Sequence, residues 1–332
     1  MIDSLGGNTM SDETKKQLTE DELAALGIFT GKHLKRGLWD GYNGKRETGT
    51  NPMLGDLGNY YRPYRGSMTI VTGIPMSGKS SVIDALMVNL AHAHNWKFAI
   101  FSPENYPIDS HETKVAEIFT GKPAHNTKDL AGRPINRMSV KDLSNAYNFL
   151  AEHFSWIYPS EEAWTVELIL KKAELMLDNG IHLDGLVIDP WNEMEADTSN
   201  GRSKTDYVAL ALGKIRRFAR KHKIHIWVIA HPTKLQKNKE TGLYDVPTPY
   251  DISDSAHWRN KADFCMTVHR ATPDVRYTEV YIQKVRERYT GRCGVCELEM
   301  EMATGRFKAP APTAYELPPA YEAPTPTQQQ LV

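Results

Sequence analysis

An apolar run at residues 68–71 enters a glycine loop spaced G-x-x-x-x-G-K-S, with Gly73, Gly78, Lys79 and Ser80 at its fixed positions. An amphipathic run at residues 81–93 follows. Strand, loop and helix in that order form the context that a phosphate-binding loop (P-loop) requires. Glycines let backbone N–H groups approach phosphate oxygens, and the helix N-terminus adds a partial positive charge. On this reading Gly73, Ile74, Pro75, Met76, Ser77, Gly78, Lys79, Ser80 and Ser81 wrap a nucleotide's phosphates. Lys79 reaches the β- and γ-phosphates, and Ser80 offers its hydroxyl to Mg²⁺. The competing reading is a chance glycine turn before a helix, and the flanks argue against it.

Apolar runs then alternate with helical patterns. Residues 98–101, 154–157, 186–188 and 224–230 read as strands, and residues 166–177 and 207–221 as helices. Such alternation predicts an α/β fold with a mostly parallel sheet and helices on both faces. After Arg259 the segments 264–269, 277–284 and 295–302 alternate apolar with polar, with no helix between them. They predict antiparallel strands at one sheet edge. Residues 1–34 are expected to be a mobile N-terminus, with a short helix at 20–29 as a possible linker. Residues 35–308 are expected to form the main domain. The proline-dense stretch 309–332 is expected to be a disordered tail.

Net charge is −1, so bulk charge does not indicate a strongly basic nucleic-acid binder, though a local basic channel stays open. No apolar run approaches the ~20 residues of a membrane span, and residues 1–16 lack the layout of a secretory signal. Three cysteines predict no disulfide framework, which suits a reducing, cytoplasmic setting. Cys293 and Cys296 form a C-x-x-C without a second ligand pair, which argues against zinc.

Several strand ends carry chemistry. The run LDGLVID ends in Asp189, 110 residues after Lys79. An acid there can hold Mg²⁺ beside the P-loop hydroxyl, or can simply cap the turn before Pro190. FAIFSPE ends in Glu104, which can polarise an attacking water or be an ordinary loop acid beside Pro103. HIWVIAH ends in His231, which can sense a γ-phosphate or be structural. Residues 233–250 carry Lys234, Lys237 and Lys239, and the loop after Asp189 carries Arg202 and Lys204. Both fit contacts to nucleic-acid phosphates, and both fit ordinary solvated loops. The basic face at residues 207–223 reads as solvated. Lys284 and Arg286 project from one side of a strand, two residues apart. They can stabilise a transferred phosphate in cis or across a subunit interface, or be merely exposed.

GIPMSGKS, FSPE, GLVIDPWNE, AHPTKL and the K-x-R segment before a Thr-Gly stand in one order. In that order they resemble the RecA-like core of superfamily 4 helicases, and most closely its Twinkle-like branch, related to DnaB-type replicative helicases. The resemblance runs from about residue 35 to 308. It implies a RecA-like P-loop NTPase that uses ATP and Mg²⁺, with Lys79, Ser80 and Asp189 on nucleotide and metal and Glu104 as catalytic base. His231 would couple γ-phosphate state to a DNA loop, and Lys284 and Arg286 would reach into a neighbour's site. The resemblance further implies a homo-oligomeric ring, expected to be a hexamer, that moves 5′-to-3′ on single-stranded or forked DNA. Roughly 65 residues precede the P-loop, too few for the primase domain of many relatives. A separate primase or polymerase is therefore an expected partner, and the cytoplasm, or a host's cytoplasm, the expected location. The alternatives are a RecA-like recombinase and a nucleotide-gated DNA-binding or loading module.

Overall fold

The computed structural model describes residues 18–31, 34–45, 48–129, 131–158, 163–196, 201, 203–233, 235, 237–253, 256–270 and 277–310. The readings for residues 1–17 and 311–332, and for Arg202 and Lys234, lie outside the described residues. The chain divides into two units, Met1–Glu47 and Thr48–Val332. In the first, α1 (Glu20–Ala25) opens on a capping box, with the Thr19 hydroxyl taking the Glu22 N–H and the Glu22 carboxylate taking the Thr19 N–H. It is shorter than the helix expected at 20–29. A second helix, α2 (Lys35–Tyr42), follows.

The second unit runs β1 (Met68–Thr72), α3 (Lys79–His94), β2 (Phe98–Phe101), α4 (Ile108–Thr120), β3 (Thr127–Lys128), β4 (Pro134–Ile135), α5 (Val140–His153), β5 (Phe154–Trp156) and α6 (Val166–Asp178). It continues with β6 (Gly185–Ile188), α7 (Lys204–His222), β7 (His225–Ile229), α8 (His257–Lys261), β8 (Phe264–His269), β9 (Tyr277–Val285), β10 (Gly294–Glu301) and β11 (Arg306–Lys308). Nine strands form one sheet in the order β11-β10-β9-β8-β1-β7-β6-β2-β5. From β8 to β5 every pairing is parallel. From β8 out to β11 every pairing is antiparallel.

Burial explains the division. The strands β1, β2, β6 and β7 are buried at every position, as strands covered on both faces must be. Over most of its length β9 alternates buried with partly buried residues, the signature of one covered face. Two cores result. Val71, Phe98, Ile100, Trp227 and Ile229 share one with α3, α4 and α5. Met68, Ile70, Phe101, Ile188 and Val228 share the other with α6 and α7. Neighbouring residues of one strand thus serve opposite layers.

β8 differs from expectation. Its alternation groups residues 264–269 with the antiparallel edge, yet β8 lies beside β1 and runs parallel to it, antiparallel only to β9. Its Thr267 and His269 imitate a polar face but are buried, and the Thr267 hydroxyl donates to the Pro247 carbonyl at 3.0 Å.

A buried polar network crosses the first core. Trp227 Nε1 donates to the Tyr61 hydroxyl at 2.8 Å, and Thr69 Oγ1 lies 2.8 Å from both the Tyr61 hydroxyl and His225 Nε2. His225 Nδ1 faces the Tyr64 carbonyl at 3.1 Å, so both nitrogens of the neutral ring have partners. Burial holds His225 down at about 3, against 6.5 for an exposed imidazole. The unfolded chain therefore takes up a proton below pH ~6.5 while the folded one does not, and stability present above that pH is lost as pH falls toward 3. Each pH unit in this window costs up to about 1.4 kcal/mol. Denaturant midpoints at pH 7.5 and pH 5 should show a steeper loss for the parent than for His225→Gln; equal slopes would mean that His225 is not the titrating group.

Candidate nucleotide site

The parallel strands bring their carboxyl ends to one edge of the sheet, where ligands of open α/β sheets bind. β1 runs into the P-loop, β2 into the turn bearing Glu104, β6 into Asp189, β7 into His231 and β8 into Arg270. Two glycines shape the loop. Gly73 has φ +152° and packs so closely that an added Cβ would meet the Val268 carbonyl oxygen. Gly78, at φ +90°, caps the start of α3 in the left-handed region.

The Lys79 ammonium is buried and donates to the carbonyls of Gly73 (3.0 Å) and Ile74 (2.9 Å). Burial lowers its pKa, while Asp189 and Glu104 oppose the shift. The Ser80 hydroxyl hydrogen-bonds the Asp189 carboxylate. Asp189 is 4% exposed, and burial pushes its pKa up to about 6, helped by the charges of Asp84 and Glu104. Glu104 stands half exposed in a single 3-10 turn, with Oε1 3.6 Å from His231 Nε2. Burial and Lys79 lower the pKa of His231, against the pull of Glu104. The His231 backbone N–H donates to Asn192 Oδ1 at 2.8 Å. Glu104, Lys79, Ser80, Asp189 and His231 thus share one site.

Two features escaped the sequence reading. Arg270 follows β8, and its guanidinium lies 3.4 Å from where a Cβ on Gly78 would sit. Strand-end position would have flagged it had β8 been read as parallel. Asp84 lies one helical turn after Ser80 and is buried against His111 of α4 (Oδ1 to Nε2 3.0 Å), while Trp156 Nε1 donates to His111 Nδ1 at 3.3 Å. Its i+4 spacing from Ser80 was the available signal.

Lys284 and Arg286 lie elsewhere. β9 runs antiparallel to β8, so Lys284 pairs with Cys265 near the start of β8 and Arg286 follows the end of β9. Both stand at the edge opposite the P-loop, which overturns their action in cis on this chain's own site. Arg286 binds the Asp263 carboxylate through Nε (2.8 Å) and the Asn260 and Ala262 carbonyls through one terminal nitrogen (both 2.9 Å). Residues 237–244 form a small closed arm, with Lys237 bridging to Tyr244 and its ammonium 5.4 Å from that ring's centre. Lys239 is exposed near its tip, and Lys204 is exposed at the start of α7. The basic face of α7 is not simply solvated: Lys214 pairs with Glu167, Lys221 with Glu174 and Arg216 with buried Asp263. Cys296 is buried and Cys293 exposed, and no cluster of metal-ligating side chains occurs among the described residues.

Among the described residues, the buried Ser77 Oγ, His231 Nδ1 and Arg270 Nε have no hydrogen-bond partner. A hydroxyl, an imidazole and a guanidinium suit phosphate oxygens, and the Ser80–Asp189 pair suits a hard divalent cation.

The family model of the DnaB-like helicase C terminal domain matches residues 54–309. The chain belongs to the DnaB-like helicase family. Among curated relatives, a Twinkle homolog protein, chloroplastic/mitochondrial, of Arabidopsis thaliana is 35% identical over 302 residues. The match takes in 87% of this chain but only 41% of that relative's length. Its organellar name fits poorly with the cytoplasmic location expected from sequence. Among the described residues, no helix is long and apolar enough to cross a membrane. A DnaB-like replicative helicase, solved in a study of its interactions with primase, superposes with TM-score 0.65 at 14% identity, covering 87% of this chain and 71% of that one. A solved ATPase domain gives TM-score 0.63 at 15% identity, covering 83% and 98%. These likenesses establish the RecA-like ATPase fold shared by DnaB-like helicases.

The raised pKa of Asp189 works against stability. The native state binds the proton more tightly than the unfolded chain, so stability falls as pH rises from about 4 to about 6 and stays lower above. Asp189→Asn should stabilise the nucleotide-free protein at pH 8 by on the order of 1–3 kcal/mol, with the difference vanishing at pH 4. Thermal or denaturant melts at the two pH values check this; a variant less stable at pH 8 would contradict it.

Proposed function

We propose that the protein is an ATP-driven replicative DNA helicase whose ATP sites are completed between subunits of a ring, most simply a hexamer. The observation that carries this reading is the division of the site's chemistry. Glu104, Lys79, Ser80, Asp189 and His231 meet at one sheet edge, while Lys284 and Arg286 sit pinned at the opposite edge. A second copy, set edge to edge, would bring those two cations to the first copy's phosphates.

In this reading the P-loop N–H groups, Lys79 and Ser77 hold the phosphates, with Arg270 beside them. Ser80 and Asp189 would hold Mg²⁺, which would supply positive charge to offset that of the phosphates. Glu104, half exposed at the end of β2, accepts a proton from the attacking water. His231, kept neutral by burial, offers a hydrogen bond to the γ-phosphate and, through the Asn192 contact, feels the turn after Asp189. Arg286 and Lys284 stabilise charge as it builds on the transferred group. Lys204, Lys237 and Lys239, with Arg202 and Lys234, would contact the phosphates of single-stranded DNA. The expected direction of travel is 5′-to-3′. A separate primase or polymerase remains the expected partner, and α1, in the segment read as a linker, is the proposed contact to an adjacent subunit.

Unwinding of a forked duplex with ATP and Mg²⁺, read beside particle images, tests the whole reading; rings that hydrolyse ATP without separating strands would overturn it. Lys79→Ala should abolish hydrolysis. Arg286→Ala should leave nucleotide binding within about threefold while kcat falls ~10³-fold or more. Mixed Arg286→Ala and Glu104→Ala subunits should hydrolyse faster than either variant alone. Mixtures no better than their parents would count against shared sites.

A further inference from the structure

The helix α8 is five residues long, yet it touches the turn after Asp189 at one end and both far-edge cations at the other. Trp258 is buried and meets Trp191 edge-on, with ring centres 5.0 Å apart at 87°. Trp191 opens the turn directly after Asp189 and Pro190. The next residue, Asn192, accepts the His231 N–H. Trp258 Nε1 also donates to the Ser253 carbonyl at 2.9 Å, and Arg259 lies over the Tyr250 ring, which ends the lysine-bearing loop. At the other end of α8, the carbonyls of Arg259 and Asn260 accept from the Lys284 ammonium at 2.5 and 3.4 Å. Asn260 and Ala262 accept from Arg286, and Asp263 holds its Nε.

We propose that α8 couples successive ATP sites around the ring: the state of one subunit's Asp189–His231 edge sets the placement of the Lys284 and Arg286 that this same subunit lends to its neighbour. The proposal rests on the reading that these cations act in trans. Close-packed interiors transmit displacement rather than absorb it. Trp191 can reach the cations by one step through Trp258, because α8 is too short to bend between its two ends. A cavity of about 480 Å³ borders Trp191 and Trp258, with Met194 and Tyr207 in its wall. It gives the tryptophan pair room for a second seating, which a coupling element needs. Leverage is large because misplacing a catalytic group by about 1 Å can cost ~10²-fold in rate. Asp263 and the end of α8 are then positioning groups for Arg286, acting without touching the nucleotide.

Subunit doping tests this. Glu104→Ala subunits keep their own Arg286, so without coupling they reduce the hydrolysis of mixed rings only in proportion to their number. With coupling, parent rings should lose activity more steeply than proportion. Rings built on Trp191→Leu should fall in proportion, with nucleotide affinity within about threefold of the parent. Trp258→Phe, which keeps an aromatic edge, should retain the steep curve. Trp191→Met is a second probe should the leucine variant fold poorly, and thermal midpoints report folding. A proportional fall in parent rings, or a curve for folded Trp191→Leu or Trp191→Met as steep as the parent's, overturns the proposal. Arg286→Ala keeps the two readings apart: if it hydrolyses ATP normally, the trans reading fails whatever the doping curves show.

Discussion

A carboxylate at the end of a buried strand loses its hydration and must be compensated nearby. Asp189 is in that position, and its surroundings make matters harder. Asp84 and Glu104 add negative charge beside it, and Lys79 and the Ser80 hydroxyl oppose them. Lys79 is itself partly committed, donating to two P-loop carbonyls. His111 relieves part of the crowding by pairing with Asp84. Asp189 itself stays buried with its charge incompletely offset, and a divalent cation with its phosphates is the kind of ligand that such a carboxylate favours. The sheet order creates this crowding. β1 lies between β7 and β8, and the chain crosses over β7 and β6 before laying down β2, so Asp189 and Glu104 end beside the loop that holds Lys79.

The same sheet keeps the far-edge cations away from that imbalance. Once β9 reverses direction, whatever follows it must emerge at the far edge. Arg286 there is held by a buried carboxylate and two helix-end carbonyls, which fix one face of its guanidinium. Holding a long side chain in one place lowers the ordering cost when it meets a partner. Asp263 does this while also taking the Met68 N–H and Arg216, so the arginine's anchor is part of the core.

Much of this was legible in the sequence, for reasons that also explain what was not. Parallel strands buried on both faces read as unbroken apolar runs, and β1, β2, β6 and β7 were visible for that cause. Their carboxyl ends singled out Glu104, Asp189 and His231 as candidates, while position alone left a structural role open for each. β8 misled because Thr267 and His269 alternate like a solvated face although the fold buries them, and Arg270 was lost with it. Lys284 and Arg286 were recognised as a pair, but alternation says nothing about strand direction, so the edge they occupy was hidden. The Asp84–His111 pair joins two helices 27 residues apart, a contact that only folding creates.

The lysine-bearing segment illustrates how local closure shapes what a loop can do. Read as a string, residues 233–250 suggested an open polar loop. In the fold its base is shut: Pro232 bridges Ile252, and the Thr233 N–H donates to the Asp251 carbonyl at 2.6 Å. Its arm is closed again where Lys237 meets Tyr244 and the Asn238 N–H reaches the Leu243 carbonyl at 2.8 Å. A closed arm has already lost most of the backbone freedom that binding would otherwise remove. Tyr250 at its base stacks under Arg259, and the Pro247 carbonyl accepts from Thr267 of β8 and Gln283 of β9, both at 3.0 Å, so the segment is tied to α8 and to the sheet alike. In the proposed motor, a pull on this arm would therefore reach Lys284 and Arg286 by two routes, through α8 and through β9.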